Sequence, residues 1–243
     1  MSQPPTSPEG PTSLATVSRN GRTLAPVTSG GGLIMLADPH SPAAEAYRSL
    51  AATLQFAYAD RQLQTVGLTS AAAGEGKSNT TANLAIALAE GGRRVIVVDA
   101  DLRRPGQHAL FGLDRKDGLA NVLLGDPPQL PLQDTQMPGL RVLTSGPTPA
   151  NPLEALASRR FDHVLALARA QADFVLVDTP PAGALADAAV LAPRLDGILL
   201  VVSAGRTKRE LARRAREQLE RVNANILGVV LTDVRRDDKL YKY

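Results

Sequence analysis

With 243 residues, 44% of them hydrophobic and 21% charged, the chain has globular composition and enough length to bury a core without covalent staples. It has no cysteine, which removes disulfide frameworks, thiolate zinc sites and cysteine-ligated iron–sulfur clusters, and its three histidines (His40, His108, His163) are too scattered to form a metal set. A net charge of +3 is too small to argue for nucleic acid, and neither a basic leader nor an apolar run approaching the ~20 residues of a membrane span is present. A cytoplasmic protein with no direct transmembrane insertion, reaching a membrane only through a partner, is therefore expected.

In chain order, residues 1–32 are dominated by Pro, Ser, Thr and Gly, too little apolar surface to offset ordering entropy, and are expected to be a disordered tail. Ser41-Pro42 then opens a helix, a hydroxyl N-cap with proline at the first helical position, running over 41–58 with Leu50, Leu54 and Phe56 on its buried side. Downstream, short apolar runs at 65–69, 95–99, 140–144, 174–178, 198–203 and 226–231 read as strands. They alternate with helical patterns at 77–90, 119–124, 151–171 (with a break), 184–192 and 207–222. Runs apolar on both faces and separated by helices predict a doubly wound, mostly parallel α/β sheet, one domain over 33–234 followed by a flexible tail over 235–243.

The strongest chemical signal is Ala71-Ala72-Ala73-Gly74-Glu75-Gly76-Lys77-Ser78, a P-loop that follows a predicted strand and opens a predicted helix. Small residues let backbone N–H groups wrap phosphates, Lys77 reaches the β and γ oxygens, and Ser78 is placed to ligate Mg²⁺. Two acidic motifs follow. Asp99 and Asp101, in Val95-Ile96-Val97-Val98-Asp99-Ala100-Asp101-Leu102-Arg103, stand at the C-terminal end of a strand, where residues of a parallel sheet face the ligand crevice. Asp178 ends the apolar run Phe174-Val175-Leu176-Val177 and is the expected outer partner of the metal.

These motifs, with Glu45-Ala46-Tyr47-Arg48, Gly118-Leu119-Ala120-Asn121 and Asn151-Pro152-Leu153-Glu154, resemble the P-loop-type bacterial tyrosine kinases of capsule and exopolysaccharide synthesis. The resemblance implies transfer of the ATP γ-phosphate, with Mg²⁺, to tyrosines of the chain's own C-terminal tail in trans. It also implies a homo-oligomer, ring or dimer, acting with a separate membrane activator of the chain-length-regulating type. On that pattern Gly74, Glu75, Gly76, Lys77, Ser78 and Asn79 bind phosphates, and Ser78, Asp101 and Asp178 hold the metal. Lys77, Asp99, Asp101 and Asp178 form the catalytic set, with Asp99 as base. Arg103 meets either phosphate or an acidic neighbour. Tyr241 and Tyr243, two of only four tyrosines, become the phosphoacceptors. Glu45 and Arg48 match the family's oligomer-forming helix, whose last arginine is Ala51 here, and Thr232 stands where relatives carry a residue near the nucleotide base.

Two other readings share these residues. One is the partitioning and division-site ATPases, which carry a second loop lysine where this chain has Ala72. The other is an ATP-binding regulatory module with little phosphotransfer. The segment 207–222, with Lys208, Arg209, Arg213, Arg214, Arg216 and Arg221, reads as an amphipathic helix burying Leu211, Ala215 and Leu219, or as a contact for anionic lipid or an acidic partner.

Overall fold

The computed structural model describes residues 13–18, 23–24, 32–56, 63–125, 129–183 and 186–234. Among these residues nine strands form one sheet: β1 (Ser13–Ser18), β2 (Thr23–Leu24), β3 (Thr65–Ser70), β4 (Val95–Asp99), β5 (Gln133–Asp134), β6 (Leu140–Leu143), β7 (Phe174–Asp178), β8 (Gly197–Ser203) and β9 (Ile226–Val234). Their order is β2-β1-β9-β8-β3-β7-β4-β6-β5. The six strands from β9 to β6 are parallel, and antiparallel pairs close both edges. β3, β4 and β7 are buried at every position, as strands covered on both faces must be.

The helices are α1 (Ile34–Ala37), α2 (Pro42–Phe56), α3 (Lys77–Glu90), α4 (Gln107–Phe111), α5 (Leu119–Leu124), α6 (Pro152–Ala157), α7 (Arg159–Arg169), α8 (Ala186–Leu191) and α9 (Arg209–Arg221). α2 and α3 cover one face, packing Tyr47, Leu50, Leu54, Leu84 and Leu88 against Val66, Leu68 and Val97. The other face carries α5 to α9, with Phe161, Val164, Leu191 and Leu219 against Ile96, Val175 and Leu200. The doubly wound, mostly parallel architecture expected from the alternating pattern is therefore present. Local signals explain the boundaries: the Ser41 hydroxyl accepts the Ala44 N–H at 3.2 Å, and the Asn151 side chain accepts the Glu154 N–H at 3.3 Å ahead of Pro152. The expected break in 151–171 falls at Ser158, whose extended backbone separates α6 from α7.

Three features depart from expectation, the first being Phe56, read as part of the buried side of the helix at 41–58 but 75% exposed at the end of α2. Part of the stretch read as a disordered tail forms β1 and β2: β1 pairs with β9 from Ser13 opposite Val234 to Ser18 opposite Gly228. Backbone pairing along an otherwise open sheet edge requires no large apolar set, so composition did not signal it. α4 and β5 are too short to show a period. Residues 235–243, with the expected acceptors Tyr241 and Tyr243, lie outside the described residues.

Candidate active site

β3 delivers the chain into the glycine loop and α3 takes it out. Gly74 and Gly76 have φ of +80° and +81°, left-handed values that favour glycine, so both turns of the loop require it. The loop borders a cavity of about 820 Å³ lined by Gly74, Gly76, Lys77, Ser78, Asn79, Asp101 and Arg103, among others. That is room for a nucleotide at the C-terminal edge of a parallel sheet, beside a helix N-terminus.

β4 and β7 are in register, with Asp99 opposite Asp178, so the two acidic motifs end abreast. Lys77 lies over them: its Nζ is 2.5 Å from Asp178 Oδ1, 3.3 Å from Asp101 Oδ2 and 3.1 Å from Ser78 Oγ. Burial alone would push the Lys77 ammonium down; Asp178, Asp101 and Asp99 outweigh it and hold the pKa above its usual value. Asp99 is fully buried, and burial, reinforced by the Asp178 charge, pushes it up to about 8 against the Gln107 N–H and Lys77. Its Oδ2 accepts the N–H groups of Gly106 and Gln107 at 3.1 and 3.0 Å, whereas its Oδ1 has no hydrogen-bond partner. Even with Asp99 protonated, Asp101 and Asp178 set two carboxylates against one ammonium, an excess of negative charge suited to a divalent cation.

Among the described residues no three His, Cys, Asp or Glu side chains converge as a ready-made metal cage. The partial set of Ser78 Oγ, Asp101 and Asp178 still suits Mg²⁺, which prefers oxygen ligands and keeps waters and substrate phosphates in its shell. The donor chemistry, the glycine cradle and the cavity size all fit a Mg²⁺-bound nucleotide.

The remaining sequence-derived candidates are placed as follows. Glu75 does not face the cavity: its carboxylate accepts the Ala71 and Ala72 N–H groups at 2.8 and 3.0 Å and the Thr207 hydroxyl, so it braces the loop from behind. Thr232 joins this brace by donating to the Glu75 carbonyl at 2.8 Å. Asn79 uses its side chain locally, donating to Gly32 O at 3.0 Å and accepting from Asn83 at 2.9 Å. Of the two partners open to Arg103, the acidic one is realised: it pairs with buried Asp187 of α8 at 3.2 Å and still borders the cavity. On α2, Glu45 is exposed, while Arg48 bonds Glu90 at 3.1 Å and Pro39 O at 2.8 Å. Ala51 is buried among α2 and α3 core residues. Sequence reasoning missed Asp187 and Gln107; the second touches Ser78, Asp99 and Asp178 together. The Pro105-Gly106 break directly after the acidic motif was the available signal for Gln107.

Comparison with known proteins agrees with this geometry. A ParA family model, described as NUBPL iron-transfer P-loop NTPase, matches residues 62–232. The chain is 42% identical over 200 residues to tyrosine-protein kinase YwqD of Bacillus subtilis, covering 82% of this chain and 84% of that protein. In EpsB of Ralstonia solanacearum the match is 40% identical over 206 residues, 84% of this chain but 27% of that protein's length. The kinase domain of Escherichia coli tyrosine kinase ETK superposes with a TM-score of 0.80 at 32% identity, covering 84% of this chain and 81% of that one.

Proposed function

This chain belongs to the bacterial tyrosine-protein kinases of the P-loop NTPase class, and from that membership we propose that it is an ATP-dependent protein-tyrosine autokinase regulating capsular or exopolysaccharide synthesis and export. The observation that carries the reading is the constellation of Lys77 clamped between Asp178 and Asp101, with Asp99 buried behind it, under a glycine loop. The iron-transfer description of the family model does not carry over to a sequence with no cysteine.

Bound Mg–ATP supplies the γ-phosphoryl group and the divalent charge that offsets the carboxylates. Lys77 exchanges Asp178 and Asp101 for phosphate oxygens, where its ammonium neutralises charge that grows during transfer. Ser78, Asp101 and Asp178 hold the cation. Asp99 takes the proton of the incoming phenol: pushed up to about 8, its carboxylate is a stronger base than an ordinary aspartate and acts in its ionised form. Glu75 contributes its backbone amide to phosphate binding, since its side chain braces the loop. Arg103, held by Asp187, adds positive charge at the cavity mouth.

The acceptors are Tyr241 and Tyr243, presented to a neighbouring subunit in a homo-oligomer with Glu45 on its contact surface. Each phosphate adds about −1.5 to −2 charges, which weakens tail docking and loosens the assembly. Among the described residues no helix is long and apolar enough to cross a membrane. In this reading the membrane activator is a separate chain.

The test is peptide-mapping mass spectrometry after incubation with Mg–ATP, with and without the cytoplasmic segment of the neighbouring membrane protein. Phosphate on Tyr241 or Tyr243 that disappears in Lys77→Met is the expected result. Unmodified tyrosines alongside ATP hydrolysis would favour an ATPase switch instead, the reading to which the ParA family match lends support.

A further inference from the structure

Gln107 opens α4 and is fully buried, an unusual place for a carboxamide unless it is held by polar partners. Its Nε2 donates to Asp178 Oδ2 at 2.8 Å and to the Ser78 carbonyl at 3.0 Å, and its backbone N–H donates to Asp99 Oδ2 at 3.0 Å. One residue thus ties the first turn of α3, the end of β4 and the end of β7. Asp178 divides its oxygens accordingly, Oδ1 to Lys77 and Oδ2 to Gln107. The carboxamide Oε1 has no hydrogen-bond partner although it is buried. Gln107 Oε1 and Asp99 Oδ1 are thus both buried acceptors without a hydrogen-bond partner.

We propose that Gln107 is a positioning residue for the divalent cation: it fixes Asp178 relative to Ser78 so that the two can hold one ion when Lys77 moves to phosphate. The inference rests on the nucleotide reading of the site. When Lys77 leaves, Asp178 loses one of its two polar anchors, and Gln107 is the one that remains. Without it the Asp178 carboxylate is free to rotate and its separation from Ser78 is no longer set, so the cost falls on metal binding rather than on the nucleotide alone. Outer partners of metal ligands typically change metal affinity or activity by about 10–100-fold when removed.

The test uses the full chain carrying Gln107→Met, which keeps length and volume without the N–H donors. Gln107→Asn, one methylene too short for both contacts, guards against a variant that fails because an apolar group is buried there. Binding of a fluorescent ADP is titrated with and without MgCl₂, beside kinetics at varied Mg²⁺ and the melting temperature. The expected result is metal-free nucleotide binding within about twofold of wild type, half-saturating Mg²⁺ raised about 10–100-fold, and kcat reduced with KM for ATP little changed at saturating metal. Wild-type Mg²⁺ dependence in either folded variant overturns the proposal. So does a parallel fall of metal-free binding, metal-dependent binding and melting temperature, which would make Gln107 a support for the fold. A wild type that binds Mg–ADP but phosphorylates no tyrosine would count against the kinase reading and leave the Gln107 comparison interpretable.

Discussion

Asp196 and Asp99 sit at opposite ends of one parallel sheet and meet opposite surroundings. At the N-terminal edge, Asp196 Oδ2 accepts the N–H groups of Gln64 and Thr65 at 3.0 and 2.7 Å and the Thr65 hydroxyl at 2.9 Å, while Oδ1 takes Arg169 at 2.8 Å. Burial alone would raise its pKa; the Thr65 and Gln64 donors, with Arg169, hold it below the ordinary 3.8. At the C-terminal edge, Asp99 is buried deeper, faces a second carboxylate, leaves one oxygen without a partner and is pushed up to about 8. One edge spends its polar groups on each other, and the other keeps acceptors and charge in reserve. The difference separates a carboxylate that holds strands together from one placed for chemistry.

The largest expected effect comes from the clamp at the reserve end. Lys77→Met removes the only ammonium facing Asp99, Asp101 and Asp178 among the described residues, and phosphotransfer measured with labelled ATP should fall by about 10²–10³-fold or more. Retained transfer in that variant would remove the site from consideration. Next come paired substitutions. Asp196→Ala strips a charged acceptor from two backbone N–H groups and Arg169, and should cost about 1–3 kcal/mol. At this chain length that lowers the melting temperature by roughly 2–4 °C per kcal/mol, with activity per folded molecule unchanged. Asp99→Asn should behave in reverse, losing activity while melting at or above wild type near pH 8. Loss of activity in both, or of stability in both, would dissolve the contrast between the edges.

A pH series sharpens the same contrast. A raised native pKa means folded Asp99 keeps a proton that the unfolded chain has released. Its contribution is fully present below 3.8 and is lost as pH rises towards about 8. Asp196 has the opposite sign: its contribution is present above 3.8 and is lost as pH falls through its lower native value. Denaturant melts from pH 3 to 9 should therefore show Asp99→Asn gaining on wild type as pH rises and Asp196→Asn losing its deficit only in acid. Parallel curves for the two variants would contradict the assignment.

Much of this was legible from residues close together in the chain. The helices at 77–90 and 119–124 and the strand at 174–178 announce themselves by period and punctuation, and the loop glycines with Lys77, Ser78 and Asp101 assemble around one cavity. What stayed hidden is long-range. Gln107 reaches Asp178 across 71 positions and Arg103 reaches Asp187 across 84, and neither carries a local pattern. Glu75 lies inside the most recognisable motif, yet its side chain turns away from the cavity towards Thr207, 132 positions on. β1 and β2 depend on an edge that exists only after β9 has joined the sheet.

The smallest effect belongs to a second carboxylate at the N-terminal edge, Asp173, which joins the starts of β4 and β7. It accepts the Arg94 backbone N–H and guanidinium, both at 2.8 Å, and Arg94's side-chain and backbone hydrogen bonds hold it below the ordinary value. Unlike Asp196, it meets an arginine with a solvated side chain, so water and salt already compete for the pair. Asp173→Asn should shift the melting temperature less than any other variant here, and raising the salt concentration should shrink that shift further. The Asp196→Ala deficit should persist at the same salt, because its partners are backbone N–H groups in a partly buried site. Equal salt sensitivity in the two variants would mean that burial does not divide this edge, and that Asp196 is no more than another exposed ion pair.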